Sequence, residues 1–388
     1  MLSGQPLRDI RVVELGQNLA APFGALVLAE LGARVLKVEA PSGDDARHYG
    51  ARVGDRSSIA FESVNRGKAS ITLDLGREGD RDWLREHIAG DTDVCIQSLR
   101  PGRARELGLG SEDLLARNPR LLYCNVGAFG AQGPLASQPG YDPMMQAFSG
   151  IMSVTGEYDR PPSRVGVPLV DWGTGMWLAL AVLAALRERD RSGRGGLVDV
   201  SLLETALSFM SLNMAACRVT GKDPRRAGSG LRGVAPNRAY RTADGPIMVS
   251  ALNDRLFARL AQVLGHPEWM HEPDFATATA RGQHQDRVDA LLEGRFATRS
   301  RAEWLSLLEQ AGVPCAPIHS ASEALAHPQV QALGMVEEGG AGAMPRVRLP
   351  LSFDGVRPAA GAPAPALGAY DKTREQVPRP FSRPMAED

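Results

Sequence analysis

The chain has few cysteines, and their spacing excludes several classes of protein. Its four cysteines, Cys95, Cys124, Cys217 and Cys315, lie far apart and form no CxxC pair or other metal-ligand spacing. The sequence therefore predicts neither a disulfide-stabilised scaffold nor a metal site. Cys95 and Cys124 lie within apolar runs, so we expect both to be buried thiols of a protein that works in a reducing compartment.

An excess of charge of one sign is also missing. Lysine and arginine together number 44 and aspartate and glutamate 45, which gives a net charge of -1. Nucleic acid is therefore not an expected partner, because neutralising a phosphate backbone usually needs a basic excess. The N-terminal residues do not show the basic region and apolar core of a signal peptide, and no apolar run of membrane-spanning length is free of glycine and charge. We expect no membrane association and a cytoplasmic location.

The sequence lacks a glycine-rich dinucleotide loop, although it begins with the strand–helix–strand order that often carries one. Strands are predicted over residues 10–15 and 34–39, with an apolar helix over 22–31 between them. The turn after the first strand, residues 16–22, reads GQNLAAP and not GxGxxG. Further strand patterns alternate with helical patterns, at residues 69–75, 93–97 and 121–126. This order predicts an α/β fold with a Rossmann-like parallel sheet, ligand loops at the carboxyl ends of the strands, and no tightly bound cofactor.

One carboxylate lies at the entry to the most apolar helical segment. Asp171 follows the strand-like run 165–170 and precedes WGTG at residues 172–175, after which residues 176–186 are almost all apolar helix formers. Such a helix is buried on most sides. Asp171 is either an N-cap, since aspartate is a favoured cap, or a catalytic carboxylate beside free N–H groups that stabilise a developing oxyanion. The residues alone leave both interpretations open.

Changes of composition divide the chain into four segments. Residues 1–220 are predicted to form a large Rossmann-like domain, and the Gly-, Arg- and Pro-rich residues 221–238 a linker. A hairpin pattern around residues 244–245 and three amphipathic helical patterns predict a smaller α+β domain over 239–320. Residues 321–388 are expected to form a return linker and a C-terminal segment that packs on the large domain or on a partner.

Several segments, in this order, are similar to those of one known family. They are LRDIRVVEL (7–15), LGARVLKVE (31–39), NRGKASITLDL (65–75), RPG (100–102), GYDP (140–143), QAFSG (146–150), Asp171 before its helix, SGRG (192–195) and TADG (242–245). With them the chain resembles the class III CoA-transferases, the family of formyl-CoA transferase and carnitine CoA-transferase, which also includes α-methylacyl-CoA racemase. The likeness spans residues 7–335 and implies the fold of an interlocked homodimer.

The resemblance implies that Asp171 is the catalytic nucleophile. In that chemistry its carboxylate attacks the thioester of a donor acyl-CoA and expels CoA thiolate, which leaves a mixed anhydride. The thiolate then attacks the aspartyl carbonyl, releases the donor's acid and forms an aspartyl-CoA thioester. An acceptor carboxylate runs the exchange in reverse. Nucleophilic catalysis of this kind needs no ATP, because thioester and anhydride are both activated acyl groups.

The resemblance also implies which loops contact CoA or acyl-CoA, which is a substrate and not a bound cofactor. Leu19 and Ala20 would line the pantetheine, and Arg100 would meet a phosphate. The whole set implied to contact CoA is Leu19, Ala20, Leu73, Asp74, Leu75, Gly76, Ser98, Leu99, Arg100, Pro139, Gly140, Tyr141 and Asp142.

The sequence departs from the family pattern at three places. Ala40 and Glu106 stand where many members have a basic residue. Residues 250–253, SALN, stand where formyl-CoA transferase has the glycine-rich loop that covers its active site. Oxalate and formate are therefore not expected as substrates.

Two other functions are considered beside transfer to a small carboxylate. A racemase of this family needs a histidine where Tyr141 stands, and a tyrosine side chain, with an ordinary pKa of about 10, is a poor base at neutral pH. A non-catalytic subunit of a hetero-oligomeric CoA-transferase would have no use for Asp171. If Arg238 and Arg241 reach the site, succinyl-CoA is the expected donor, because a dicarboxylate needs a fixed cation for its distal carboxylate.

Overall fold

The computed structural model describes residues 4–54, 57–339 and 344–371. The chain separates into two compact units, each built from discontinuous stretches. The larger unit takes its described residues from Met1–Ser149, Gly166–Ser211 and Leu333–Asp388, and the smaller unit from Gly150–Val165 and Leu212–Ala332.

The limits of these two compact units differ from the domain limits that were predicted from the sequence. The predicted domain limits stay a prediction. Residues 150–165 belong to the smaller unit because they are tied to the segment that was predicted as a linker. Arg226 donates hydrogen bonds to the backbone carbonyls of Glu157 and Tyr158, and the Gly228 N–H donates to the Gly156 carbonyl at 3.0 Å.

Six parallel strands form the sheet within the described part of the larger unit. They are β1 (Arg11–Leu15), β2 (Arg34–Glu39), β3 (Ala69–Thr72), β4 (Val94–Gln97), β5 (Leu122–Gly127) and β6 (Gly196–Ser201). Their order across the sheet is β3-β2-β1-β4-β5-β6, with every neighbouring pair parallel. This is the order of a doubly wound Rossmann sheet, whose ligand crevice opens at the carboxyl ends of β1 and β4. The predicted α/β fold with a parallel sheet is confirmed.

The α-helices of the described residues follow in chain order. They are α1 (Ala20–Glu30), α2 (Ile59–Asn65), α3 (Glu78–Asp91), α4 (Arg103–Glu106), α5 (Ser111–Arg117), α6 (Asp142–Phe148), α7 (Ile151–Val154), α8 (Leu169–Ser192), α9 (Leu202–Phe209), α10 (Ser211–Thr220), α11 (Asp254–Val263), α12 (Ala278–Gln283), α13 (Gln285–Phe296), α14 (Arg301–Gln310), α15 (Ala321–Ala326) and α16 (Pro328–Ala332). Short 3-10 helices cover Asp45–His48 and Pro267–His271, and two-residue ribbons pair Arg52–Val53 with Ser57–Ser58 and Val336–Glu337 with Arg346–Val347.

The central strands are buried on both faces, as parallel strands covered by helices are. Val12 and Val13 of β1 are both fully buried although they point to opposite faces. Cys95 in β4 and Cys124 in β5 are also buried, which confirms the prediction for these two thiols. Burial raises the pKa of Cys95 to about 12, so the thiol stays protonated and unreactive.

Helices α1 and α8 cross at two glycines that face each other. A Cβ added to Gly175 would lie 2.8 Å from the Gly24 nitrogen and 2.8 Å from the Ala20 carbonyl oxygen. A Cβ on Gly24 would lie 3.0 Å from the Gly175 carbonyl oxygen. No side chain fits between the two backbones, so the glycines bring the start of α8 against the start of α1.

Helix α8 begins earlier than the sequence predicted. Leu169 and Val170 are already helical, so the prediction of a strand-like run over 165–170 is wrong for these two residues. Among the helices of the described residues, α8 is the one that is long and apolar enough to cross a membrane, and 44% of its apolar window is buried inside the protein. The core helix of a soluble protein meets the same test, so this is weak evidence for a membrane.

The smaller unit contains a three-stranded antiparallel sheet. Strands β7 (Asn237–Arg241) and β8 (Pro246–Ser250) form the hairpin predicted around residues 244–245, and β9 (Cys315–Pro317) pairs with the other side of β8. The three predicted amphipathic helices correspond to α11, α13 and α14, and their apolar faces surround a separate core that includes Tyr240, Phe296 and Trp304.

The described residues after 343 lie on the larger unit. The Gly67 N–H donates to the Ala362 carbonyl at 2.7 Å, and the Tyr370 N–H donates to the Ser70 carbonyl at 3.1 Å. Asp371 accepts the Thr72 N–H at 2.8 Å. This segment therefore covers the free edge of β3, which would otherwise present unpaired backbone groups.

Candidate active site

Asp171 lies in the first turn of α8, at the carboxyl edge of the sheet. The N-cap position belongs to Pro168, and Asp171 is the third residue of the helix. The interpretation of Asp171 as an N-cap is therefore wrong. The side chain is half-buried, and within the described residues its carboxylate makes no hydrogen bond or ion pair.

A second carboxylate takes over the capping of α8. Oδ2 of Asp142 accepts the N–H of Val170 at 2.7 Å and the N–H of Asp171 at 3.1 Å. Its Oδ1 accepts the amide of Gln146 at 2.6 Å, and the residue is almost fully buried at the first position of α6. Asp142 was singled out only through the resemblance, as a CoA contact. The structure adds that its side chain holds the backbone of Asp171.

The other N–H groups at the start of α8 are also occupied. The Leu169 N–H donates to the Val167 carbonyl at 2.7 Å, and the Trp172 N–H donates to the Pro168 carbonyl at 3.0 Å. The expectation that free N–H groups of this helix lie beside Asp171 is wrong. Because the helix begins two residues before Asp171, the groups that a helix start leaves unpaired have already found acceptors.

The electrostatic setting of Asp171 favours its neutral form. Burial, and then the nearby charge of Asp142, raise the pKa of Asp171 to about 7. Desolvation and a like charge both penalise a carboxylate. The ionised form of Asp171 is therefore more basic than an ordinary carboxylate. Perturbed groups of this kind are concentrated in reactive sites.

The start of α1 packs against the first turns of α8, the helix that carries Asp171. The rings of Phe23 and Trp172, the residue after Asp171, stack with centroids 4.6 Å apart and planes inclined by 20°. The N-cap residue Leu19 makes no side-chain cap, and within the described residues the N–H groups of Ala20 and Ala21 donate no hydrogen bond. Leu19 and Ala20, both implied to contact CoA, therefore belong to an uncapped helix start that packs against the first turns of α8.

The loop after β4 is joined to the loop after β1. The Gln17 N–H donates to Ser98 Oγ at 3.0 Å, and the Leu99 N–H donates to Gln97 Oε1 at 2.8 Å. The next residue, Arg100, is exposed, and its guanidinium has no ion pair in the described part of the chain. The turn of Ser98, Leu99 and Arg100 is thus held at the sheet edge with a cation free to meet an anion.

A row of polar side chains that the sequence analysis missed supports this edge. Gln97 donates to Asn125 Oδ1 at 2.5 Å, and Asn125 donates to Asp199 Oδ1 at 2.7 Å. The three residues lie in β4, β5 and β6. Polar residues in strands that are otherwise apolar were the signal that could have revealed the row.

The turn of Leu73, Asp74, Leu75 and Gly76 follows β3 at the same edge of the sheet. Leu73 is buried, and the Gly76 N–H closes the turn on Asp74 Oδ1 at 2.9 Å. Since β2 lies between β3 and β1, the turn lies two strands, or about 10 Å, from the loop that carries Leu19.

Pro139, Gly140 and Tyr141 lead directly into Asp142. A Cβ on Gly140 would lie 2.7 Å from the methyl group of Met145, so the chain passes close to α6 here. Tyr141 occupies the N-cap position of α6, and its side chain is 58% exposed.

The two arginines considered for a dicarboxylate clamp belong to the smaller unit and already have acidic partners there. Arg238 lies 3.5 Å from a carboxylate oxygen of Asp289. Arg241, whose side chain is 89% exposed, lies 3.7 Å from Glu293. Within residues 4–54, 57–339 and 344–371, no group of three or more His, Cys, Asp or Glu side chains is placed to hold a metal ion.

The fold and this site define an α/β enzyme that presents a half-buried, unpaired carboxylate at the switch point of a Rossmann sheet. Comparison with known families agrees with that description: the model of CoA-transferase family III matches residues 7–371. The chain belongs to CoA-transferase family III and is a CoA-transferase.

Individual relatives match along most of their length. The acetyl-CoA:oxalate CoA-transferase of Acetobacter aceti is 38% identical, over 98% of this chain and 97% of that protein. The succinyl-CoA–D-citramalate CoA-transferase of Chloroflexus aurantiacus is also 38% identical, over 84% of this chain and 81% of that protein. The crystal structure of a CaiB/BaiF family protein from Brucella suis has a TM-score of 0.86 and 35% identity, and covers 96% of this chain and 98% of that one.

Proposed function

We propose that this CoA-transferase moves CoA from an acyl-CoA donor, with succinyl-CoA the first candidate, to a carboxylic acid through intermediates on Asp171. The observation that carries the proposal is the unpaired carboxylate of Asp171. Asp142 supplies the cap of α8, so the Asp171 side chain has no structural task within the described residues. A half-buried carboxylate with a pKa near neutrality and no partner is suited to nucleophilic attack.

The reaction divides into exchanges between a carboxylate and a thiolate. Ionised Asp171 attacks the donor's thioester carbonyl; an acyl–oxygen bond forms, the carbon–sulfur bond breaks, and CoA leaves as the thiolate. The thiolate attacks the aspartyl carbonyl of the anhydride and releases the donor's acid as a carboxylate. The acceptor carboxylate then attacks the aspartyl-CoA thioester, and the released thiolate takes the new acyl group and frees Asp171. Charge is conserved in every step, so neither ATP nor a redox partner is required.

The uncapped start of α1 supports these steps electrostatically. Each tetrahedral intermediate carries a negative oxygen, which backbone N–H groups stabilise in a water-poor site. The N–H groups of Ala20 and Ala21 are unpaired and lie at the positive end of a helix dipole. We assign them the oxyanion role that the sequence analysis expected of α8.

We infer the substrate class from the names of relatives and not from a pair of arginines that would bind a dicarboxylate. Two of the relatives at 38% identity are named for oxalate and for D-citramalate, which are both dicarboxylic acids. We therefore propose a dicarboxylic acid as acceptor, and oxalate enters the screen although the missing glycine-rich loop argued against it. Arg238 and Arg241 would have to leave Asp289 and Glu293 before they could bind a substrate carboxylate.

We also propose that the enzyme works as a homodimer. The helix that carries Asp171 exposes Met176, Trp177 and Leu180. Apolar residues grouped on one face of a helix indicate a surface that another protein surface covers. Light scattering of the purified protein at micromolar concentration is expected to give twice the mass of the chain, and a monomer would contradict the proposal.

The proposed activity is tested by transfer from succinyl-CoA and from acetyl-CoA to a panel of mono- and dicarboxylates without ATP. Asp171→Ala should abolish transfer and still bind CoA. Hydroxylamine added during turnover should modify the peptide that contains Asp171 in the wild type only. Uptake of α-deuterium from heavy water into a 2-methylacyl-CoA, without transfer, would point instead to a racemase.

A further inference from the structure

Four charged side chains are sealed behind the loop that follows β1. Glu14 of β1, Lys37 of β2, Asp44 and Lys68 have fully buried side chains. Glu14 lies between the two lysines, with Oε1 3.2 Å from Lys37 Nζ and Oε2 2.7 Å from Lys68 Nζ. Asp44 adds a second carboxylate 2.8 Å from Lys37 Nζ. We call these four residues the buried network.

The buried network holds the backbone of residues 16–22 at three points, while Asp44 also accepts the Ala46 N–H at 3.0 Å and Lys68 also donates to Asn65 Oδ1 at 2.9 Å. Lys37 Nζ donates to the Gly16 carbonyl at 2.8 Å, and Lys68 Nζ donates to the Pro22 carbonyl at 2.9 Å. Between these two points, Oδ1 of Asp44 accepts the Asn18 N–H at 3.1 Å. Three of the four buried side chains thus hold the two ends and the middle of one short stretch.

The held segment contains a residue with an uncommon backbone conformation. Asn18 has a φ of 64°, in the left-handed region, which few residues other than glycine adopt and which asparagine tolerates better than most. A residue keeps such a conformation where several surrounding contacts hold it, and residues of this kind are concentrated at functional sites. The contacts are the bonds to Lys37, Asp44 and Lys68, together with the bond from the Gln17 N–H to Ser98.

The same segment opens the helix that packs against α8, which carries the proposed nucleophile Asp171. It contains Leu19 and the free N–H groups of Ala20 and Ala21, and it opens the helix that crosses α8 at Gly24 and Gly175. A shift of the segment would move the proposed oxyanion donors relative to Asp171. None of the four charged side chains is exposed enough to touch a substrate.

We infer that Asp44, Lys37 and Lys68 are positioning residues, which set residues 16–22 in the conformation that receives the CoA part of the substrate. The inference rests on the proposed contact of CoA with Leu19 and Ala20. Three members of the network bond the backbone of this one segment, at Gly16, Asn18 and Pro22. Burial lowers the pKa of Lys68 to about 8, and the neighbouring carboxylate of Glu14 opposes this shift.

Two variants and a matched control test the inference. Lys68→Met removes the bond to Pro22, while Glu14 remains paired with Lys37. Asp44→Asn preserves the shape of the side chain. An amide has only one acceptor oxygen, so the variant cannot accept from both the Asn18 N–H and the Lys37 ammonium. Glu30→Gln is the control. It breaks a similarly buried pair with Arg66 at the far end of α1, about 12 Å along the helix from Pro22.

The measurements are the dissociation constant of CoA by calorimetry, the KM for acyl-CoA and for the acceptor acid, and the melting temperature. Both network variants should weaken CoA binding and raise the KM for acyl-CoA by about tenfold, as loss of one charge-assisted hydrogen bond does. The KM for the acceptor should change less than twofold. Glu30→Gln should lower the melting temperature by a similar amount and bind CoA like the wild type.

The possible results separate the inference from the proposed function. If either network variant melts earlier but binds CoA with wild-type affinity, the network is only a stabilising core and the inference is wrong. If Lys68→Met does not fold, the CoA affinity of the milder variant Asp44→Asn decides whether the inference is right. Wild-type protein that does not bind CoA would overturn the assigned CoA site itself, and an active Asp171→Ala enzyme would overturn the nucleophile and leave the positioning result intact.

Discussion

The two helices that cross at Gly24 and Gly175 begin in opposite ways. At the start of α8, Asp142 and two backbone carbonyls take up the N–H groups of residues 169–172. At the start of α1, within the described residues, no side chain caps the helix and the N–H groups of Ala20 and Ala21 are unpaired. The first turns of α1 and α8 pack against each other, so a capped and an uncapped helix start lie in one site.

The difference shows how the site divides two tasks. A helix start whose N–H groups are all bound is rigid and holds the backbone of Asp171 in place. A helix start whose N–H groups are free can bind an anion or a developing oxyanion. One helix thus presents the proposed nucleophile and the other the proposed stabiliser of negative charge.

The largest effect is expected when the carboxylate of Asp171 is removed from the start of α8. Asp171→Asn keeps the size of the side chain and the capped helix start but abolishes the nucleophile. Loss of a covalent nucleophile should lower kcat for CoA transfer by at least about a thousandfold. Steady-state transfer assays measure this, and a variant with more than a tenth of wild-type activity would refute the role of Asp171.

The second effect is expected when the start of α8 is made to resemble the start of α1. Asp142→Ala leaves the N–H groups of Val170 and Asp171 without their acceptor, which costs about 1–3 kcal/mol and loosens the backbone of Asp171. We expect kcat to fall by about ten- to a hundredfold. Asp142→Asn keeps an acceptor oxygen and should retain more activity than Asp142→Ala. Equal activity of the two variants would show that capping is unimportant.

A third effect follows from the charge of Asp142 on Asp171. Because the pKa of Asp171 is raised to about 7, kcat/KM for acyl-CoA should fall by about tenfold per pH unit well below that value. Since Asp142 contributes to the raised pKa, Asp142→Asn should move the midpoint to lower pH. Rate profiles between pH 5 and 9 measure both midpoints, and an unshifted midpoint would contradict the coupling.

A fourth effect concerns the contact between the two helix starts. Gly175→Ala places a Cβ 2.8 Å from the Gly24 nitrogen, which should push the helices apart and lower the free energy of unfolding by about 1–3 kcal/mol. Gly79→Ala in α3 is the control, because an added Cβ meets nothing within 4 Å there and alanine favours a helix. Urea denaturation compares the two variants. A fully stable Gly175→Ala protein would mean that the crossing is looser than described.

The smallest effect is a change of stability with pH. A carboxylate with a raised pKa in the folded state binds its proton more tightly there than in the unfolded chain, so its contribution to stability is lost as pH rises from about 4 to about 7. Asp171→Asn removes this loss. Its melting temperature at pH 8 should exceed that of the wild type by a few degrees, roughly, and the difference should shrink toward pH 4. A constant difference across this range would argue against a raised pKa.

Much of the fold could be predicted because it depends on local patterns. The apolar run at 34–39 matched the bounds of β2, and the hairpin of β7 and β8 followed from a turn flanked by strand residues. The alternation of strands and helices predicted a parallel sheet, since a parallel pair needs a crossover. The sequence also pointed to Asp171, first through its place before an apolar helix and then through the family resemblance.

The start of α8 shows where local patterns no longer suffice. The residues around Asp171 allowed a cap or a nucleophile, and Asp142, which settles the capping question, lies 29 positions earlier in the chain. Periodicity reports which face of an element is buried, but not which distant side chain meets it.

What the sequence by itself determined about this protein is therefore the kind of sheet and the places of most of its longer helices, and it also singled out Asp171 as the proposed nucleophile. Tertiary structure alone decided that α8 begins capped and α1 uncapped, and that Lys37 and Lys68 are sealed beneath residues 16–22. A charged side chain can be buried only where folding brings it partners, and here those partners come from strands and loops far apart in the chain.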